Sequence, residues 1–347
     1  MKLYILFLFL HISLFGQTQN KTELELIKKT GKHNLIPMYG EPYIEKNKEY
    51  IEVDNEFLKK IDKDFELRST AANQFVLLGL DYFYQGDLQT SMKRFNQAWL
   101  LDTSNAGVFF GYWLVQSVLD SPSIMSAYLG FPSIEITSEF NAEKYYELGK
   151  KLDKNNEAEN LTLDYACSSF SRFGQFEKGL QCCLTRLKMD ETDTLTLQNL
   201  ANTYMRMKEW NKALEIQKQS LSYRKNIAFV YHDIAWIFQE MNNLDSAEEY
   251  YLKAIKLSDI TYFKPRVSYC FLMEKKNKCI HAIPVIDSCI EALPTEGFFH
   301  YTRGKLLLCS NQKKEAIIAL KSAKKLGNEE AKSLLKEIKK NKRLSPN

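Results

Sequence analysis

Residues 194–227 read TLTLQNLANTYMRMKEWNKALEIQKQSLSYRKNI, and residues 228–261 continue as AFVYHDIAWIFQEMNNLDSAEEYYLKAIKLSDIT. Laid one under the other, they set Leu197 over Tyr231, Leu200-Ala201 over Ile234-Ala235, Tyr204 over Phe238, Trp210 over Leu244 and Ala213 over Ala247. Bulky residues recur at helical spacing, and one small residue recurs in each half, where two helices must approach closely. A unit of two short helices cannot bury its apolar face alone, so this period implies a stack of units.

The pattern extends in both directions. The small residue of the first helix reads Cys167, Ala201, Ala235, Cys270 and Gly304 at intervals of 34, 34, 35 and 34, with Gly79 earlier in the chain. The second helix repeats in phase through Gly179, Ala213, Ala247, Ala282 and Ala316. Copies are therefore expected at 72–105, 160–193, 194–227, 228–261, 263–296 and 297–330. The interval from Gly79 to Cys167 has room for one further copy, 106–159, enlarged by about 20 residues. Its helices are expected at 106–119 and 139–152, and Pro122 and Pro132 bracket an insertion at 121–138. The apolar run Ile124 to Phe131 reads either as a short helix tucked onto a neighbouring repeat or as a finger that meets a partner.

This arrangement resembles the tetratricopeptide repeat: a bulky residue, a Leu-Gly type pair, an aromatic, then Ala, an aromatic and Ala at fixed offsets. The resemblance implies an all-α, right-handed superhelical solenoid of about seven helix-turn-helix repeats, and a non-catalytic role in holding a protein or peptide. It also implies that set offsets of each first helix line a concave groove. Those offsets carry Tyr165 and Arg172; Asn199, Asn202 and Arg206; Phe229, His232, Asp233 and Trp236; Lys264 and Phe271; and Phe298, Tyr301 and Lys305. Aromatic rings beside amides and charges suit an extended peptide, the rings giving contact area and the amides pairing with its backbone. The alternative occupant is a small or glycan ligand, which calls for a closed pocket. The carboxylate clamp known in this family is absent. Gln198 and Asn202, then Asp233, then Lys264 and Ser268 stand at its positions, and Asp233 would repel a terminal carboxylate.

The region before the repeats resembles something narrower. Pro37-Met38-Tyr39-Gly40-Glu41, the run Tyr82 to Leu88, and Met92 to Leu101 look like a family of exported bacterial tetratricopeptide proteins of no established activity. That resemblance implies an exported setting and transfers no catalytic residue. The start of the chain agrees: Met1-Lys2 precedes an apolar run to Leu10, and polar residues begin at Gln17, the pattern of a signal peptide over 1–16 cleaved after Gly16. The apolar run is too short to span a bilayer, and no Cys follows it for lipid attachment. Residues 17–50, with Pro37, Gly40 and Pro42, are expected to form a partly ordered arm, and 51–71 a helical segment begun by Asp54. Beyond the array, 331–347 reads as a capping helix with a basic outer face.

Composition narrows the function classes. With 47 basic and 43 acidic residues in 347, the chain lacks the charge surplus of a nucleic-acid binder. No Gly-rich phosphate loop, Gly-x-Ser-x-Gly elbow or His-Glu-x-x-His helix is present, so neither an enzyme nor a cofactor is expected. The histidines are too scattered for a recognisable metal site. Seven cysteines leave at least one unpaired within the chain. Because Cys167, Cys270 and Cys289 fall on close-packed offsets, the cysteines read mainly as small apolar fillers, with Cys270 to Cys289 the candidate pair for a single bridge.

Overall fold

A computed structural model describes residues 21–132, 136–137 and 140–344. The expected leader, 1–16, lies outside the described residues. The chain divides into two compact units, Met1–Glu191 and Thr192–Asn347, where the sequence suggested a single array.

In the first unit the helices are α1 (Glu23–Thr30), α2 (Lys48–Asp64), α3 (Arg68–Gln85), α4 (Leu88–Leu101), α5 (Ala106–Leu119), α6 (Pro122–Leu129), α7 (Ala142–Leu152), α8 (Glu157–Arg172) and α9 (Phe176–Met189). The second unit holds α10 (Thr194–Arg206), α11 (Trp210–Tyr223), α12 (Ala228–Glu240), α13 (Leu244–Leu257), α14 (Lys264–Lys275), α15 (Ile283–Ala292), α16 (Gly297–Cys309), α17 (Lys313–Lys325) and α18 (Glu329–Leu344). Seven helix pairs follow the expected register: α3/α4, α5/α7 and α8/α9 in the first unit, and α10/α11, α12/α13, α14/α15 and α16/α17 in the second. Among the described residues the only strands are two-residue segments, Lys21–Thr22 paired in parallel with Ile136–Thr137.

The small positions are small for a steric reason. A Cβ on Gly79 would lie 2.5 Å from the Phe95 ring, and one on Gly304 would lie 2.7 Å from Leu320. Cys167, Ala201, Ala235 and Cys270 hold the same place and are buried. A second periodic signal sits in the turn inside six of the seven pairs. Gly86, Gly174, Lys208, Asn242, Asn277 and Asn311 all have positive φ. The N–H of the following residue bonds the carbonyl five residues back, as in Glu209 to Tyr204, Asn243 to Phe238 and Gln312 to Leu307. This left-handed turn closes six of the seven first helices, α5 ending instead at Asp120 in a right-handed conformation, and it aims the second helix back along the first, which explains the Gly and Asn there.

The N-terminal expectations need correction. Helix α2 starts at Lys48 because the Asn47 side chain accepts the Tyr50 N–H at 2.9 Å. Asp54 lies inside that helix and pairs with Lys46 at 2.7 Å. The first repeat begins at Arg68, so 68–71 belong to the array and not to the preceding segment. The arm is folded from residue 21 onward. Thr22 and Glu25 form a capping box on α1, and Leu26, Ile27, Leu35, Ile36 and Ile44 are buried. One buried amide anchors it to α4. Asn96 Nδ2 donates to the carbonyls of Ile36 (2.8 Å) and Asn34 (3.2 Å), while its Oδ1 accepts from the Tyr39 N–H (3.3 Å) and the Tyr112 hydroxyl (2.8 Å).

The insertion meets the same arm. Its apolar run forms α6, with Met125, Tyr128 and Leu129 buried. The Tyr128 hydroxyl donates to the Leu35 carbonyl at 2.6 Å, and Lys32 Nζ to the Leu129 carbonyl at 2.6 Å. The tucked-helix reading therefore describes it and the partner-seeking finger does not, since the run spends its apolar side on this chain.

The disulfide is Cys279–Cys309, with Cα atoms 6.0 Å apart, and not Cys270–Cys289. Cys270 and Cys289 are buried thiols whose sulfurs lie against the local carbonyls of Ala282 and Val285. Cys279, after the turn that follows α14, and Cys309, the last residue of α16, join adjacent repeats. Cys167, Cys182 and Cys183 are also buried thiols, as expected of small apolar fillers. The cap helix α18 buries Ala331 and Leu335.

Candidate functional site

In the first unit the expected groove is closed. Helix α5 is buried on nearly every face, through Val108, Phe109, Phe110, Tyr112, Leu114, Val115, Val118 and Leu119. Helices α3 and α8 contact each other beside it. The Tyr165 hydroxyl donates to Asp81 at 3.1 Å, and its ring meets Tyr84 edge-on at 6.3 Å. The Arg172 guanidinium stacks over Tyr84 at 4.2 Å and donates to the Tyr84 carbonyl. Burial, then the Asp81 carboxylate, holds the Tyr165 phenol above its ordinary pKa. Tyr165, half-buried, and Arg172, exposed, are thus both engaged by contacts to Asp81 and Tyr84 of this chain. A cavity of about 130 Å³ lined by Trp113, Tyr146, Lys178 and Cys182 is well under the size usual for a ligand site. A depression of about 340 Å³ beside Asn73, Asn105 and Leu161 is open.

The second unit keeps exposed rows on its first helices. One row runs Leu195, Phe229, Lys264 and Phe298, and the next Asn202, Trp236, Phe271 and Lys305, each repeating at 34, 35 and 34 residues. Large apolar side chains in these rows stand in solvent: Leu195 is 61% exposed, Phe271 43%, Phe229 40% and Phe298 36%. Phe271 and Phe298 contact each other at 6.5 Å. Lys305 pairs with Glu274 at 2.8 Å and lies 5.9 Å from the Phe271 ring. Asn202 is exposed and accepts from Gln198 at 3.2 Å, Lys264 is exposed within its row, and Arg206 is exposed beside these rows. Asn199 and Tyr301 are half-buried, and Trp236 packs edge-on against Trp210 at 5.5 Å.

His232 and Asp233 depart from the expected surface, being 3% and 9% exposed. They form the centre of a polar chain under it. Gln198 Nε2 donates to Asp233 Oδ2 at 2.7 Å, and Gln217 Nε2 reaches the same oxygen at 3.4 Å. His232 Nδ1 lies 3.0 Å from Asp233 Oδ1, and its Nε2 lies 3.0 Å from Ser268 Oγ. With the carboxylate accepting from Nδ1–H, Nε2 is the acceptor for the Ser268 hydroxyl. Serine, histidine and aspartate stand in the order of a hydrolase triad. Ser268 lies within α14, however, where backbone N–H groups are committed to the helix and offer no oxyanion donors. The chain joins three successive repeats and fixes their register, because a buried carboxylate needs all its partners. Gln217 was missed from sequence; it stands where the next copy has Tyr251, a polar residue in an otherwise apolar column.

Residues 193–259 match the family model for the tetratricopeptide repeat, so that stretch of the second unit carries this repeat. Several solved structures are similar to parts of it. A crystal structure of MamA has 19% identity over 50% of this chain and 94% of that one, with a TM-score of 0.43. MamA from Desulfovibrio magneticus RS-1 has 16% identity over 44% and 97%, with a TM-score of 0.36. YrrB, described as a TPR protein with an unusual peptide-binding site, has 13% identity over 51% and 91%, with a TM-score of 0.42. No curated protein matches the sequence. Among the described residues no helix is long and apolar enough to cross a membrane.

Proposed function

We propose that this protein is an exported, non-catalytic scaffold that holds an extended peptide segment of a partner protein along the first helices of residues 192–347. The observation that carries the reading is the exposure of Leu195, Phe229 and Phe298 in one row and of Phe271 in the next. The two rows each repeat at 34, 35 and 34 residues, and they also carry Asn202 and Lys264, with Arg206 nearby. Solvent-facing rings regularly spaced next to amides and charges suit side chains and backbone of one extended strand of peptide. Export is supported by the leader-like composition of 1–16 and by the Cys279–Cys309 bridge, since disulfides persist in oxidising compartments.

The test selects displayed random peptides on the full mature chain and measures the winners against a variant carrying Asn202→Ala, Phe271→Ala and Phe298→Ala. Each ring that anchors a peptide is worth about 2 kcal/mol, so the variant should bind at least about 30-fold more weakly. Peptides that bind both forms equally would refute the groove. Failure to select any peptide, with capture of a small ligand instead, would favour the carrier alternative.

A further inference from the structure

We propose that the last two helices of the array, α17 and α18, dock on an anionic phospholipid surface. This goes beyond the peptide groove, because it uses a different face and a different class of partner. From Lys313 to Arg343 the chain carries 11 basic and 4 acidic residues, while the whole protein is only +4, so the positive charge is concentrated here. On α17, Lys314, Ile318, Lys321 and Lys325 are spaced four, three and four apart and form one outward stripe. Ile318 at the centre of that stripe is 65% exposed, the most exposed large apolar side chain among the described residues.

The opposite side of these helices is already spent. Ala316, Ala319, Leu320, Ala323, Ala331 and Leu335 are buried, so the stripe is not a core face waiting for a missing repeat. Helix α18 adds exposed Lys336, Lys339 and Lys340. Among the described residues the ion pair formed here is Lys332 with Glu329 at 2.9 Å, and the outward lysines of both helices carry none.

Chemistry decides between a lipid and a protein partner. From 313 to 343 ten of the 11 basic residues are Lys, Arg343 being the exception, and there is no aromatic residue. Protein interfaces favour Arg and aromatic anchors and are depleted of Lys. A lipid surface asks instead for long flexible ammonium groups that reach phosphates, around an aliphatic side chain that enters the headgroup boundary.

The experiment sediments the full mature chain with vesicles of phosphatidylglycerol in phosphatidylcholine and, separately, of phosphatidylcholine alone. Binding is expected only to the first, and it should fall as salt is raised. A Lys314→Glu, Lys321→Glu, Lys325→Glu variant should bind about 100-fold more weakly. All three positions are exposed, and an unchanged thermal melt confirms that the variant is folded. A variant carrying Phe271→Ala and Phe298→Ala should bind vesicles as the parent does, which separates this result from the fate of the groove. Equal binding to both vesicle types, no binding to either, or an unweakened triple variant would overturn the proposal. So would binding of poly-glutamate without vesicle binding, which would assign the stripe to an acidic protein.

Discussion

Removing the Cys279–Cys309 bridge by Cys279→Ala with Cys309→Ala should loosen the end of the second unit without unfolding the chain. The two residues are 30 apart in sequence. Closing a loop of that size restricts the unfolded state by about 3.6 kcal/mol in the chain-entropy account. The bridge joins α14/α15 to α16/α17, so its loss acts on the last pair and the cap, where each unit is held mainly by its neighbours. Amide hydrogen exchange is the suitable assay, because a repeat array need not melt in one step. For amides in α16, α17 and α18 that exchange through opening of the last pair, about 3.6 kcal/mol corresponds to about 400-fold lower protection. Those in α10 and α11 should change little. Thiol counting on the unfolded, unreduced chain should find five of the seven cysteines reactive. Protection unchanged within about threefold in α16 to α18, or a count of seven, would refute the reasoning.

Asn96→Ala strips four hydrogen bonds from buried groups and should cost about 2–4 kcal/mol, read as faster proteolysis of residues 21–47 before the rest of the unit is cut. Lys208 holds a left-handed turn at φ 60°, so Lys208→Asn or Lys208→Gly should stabilise the second unit by about 0.5–1 kcal/mol in thermal unfolding. Burial raises the phenols of Tyr39, Tyr112, Tyr128 and Tyr145 above the ordinary value of 10.0. A folded pKa above the unfolded one contributes stability that is complete below pH 10 and lost as the pH rises past it. Absorbance titration should therefore show these tyrosines ionising late and together, as the first unit opens; a smooth titration centred at 10 with the unit still folded would contradict the burial.

The array was legible because its signal is steric and periodic. A small residue that must admit a neighbouring helix recurs every 34 or 35 residues; Gly79 and Gly304 meet the contacts that their size implies, and Ala201 is fully buried. The arm was not legible, since its order depends on Asn96 and Tyr128, which meet it about 60 and 93 residues away in sequence. The left-handed turns were visible in principle at Gly174, Asn242, Asn277 and Asn311, but Lys208 breaks the pattern. The rows around Phe229, Phe271 and Lys264 followed from offset alone. His232 and Asp233 occupy groove offsets too, yet the partners that draw them inward, Gln198, Gln217 and Ser268, belong to other helices. The bridge failed for a similar reason: the candidate pair, Cys270 and Cys289, lies within one repeat, while the geometry joins two.

The enclosure of α5 separates the two units in how they can change over evolutionary time. In residues 192–347 packing passes from each helix pair to the next, so duplicating or deleting a 34-residue segment recreates interfaces of the same kind. The first unit lacks that modularity. Tyr165 and Arg172 reach back to Asp81 and Tyr84 past the pair between them, and α5 is surrounded. Excising its pair would leave α3 and α8 without the apolar wall both rest on, and a spare copy placed there would have no face to receive it. Length variation among relatives, and grafting of new repeats by design, should therefore fall after residue 192, with the earlier residues inherited as one indivisible block.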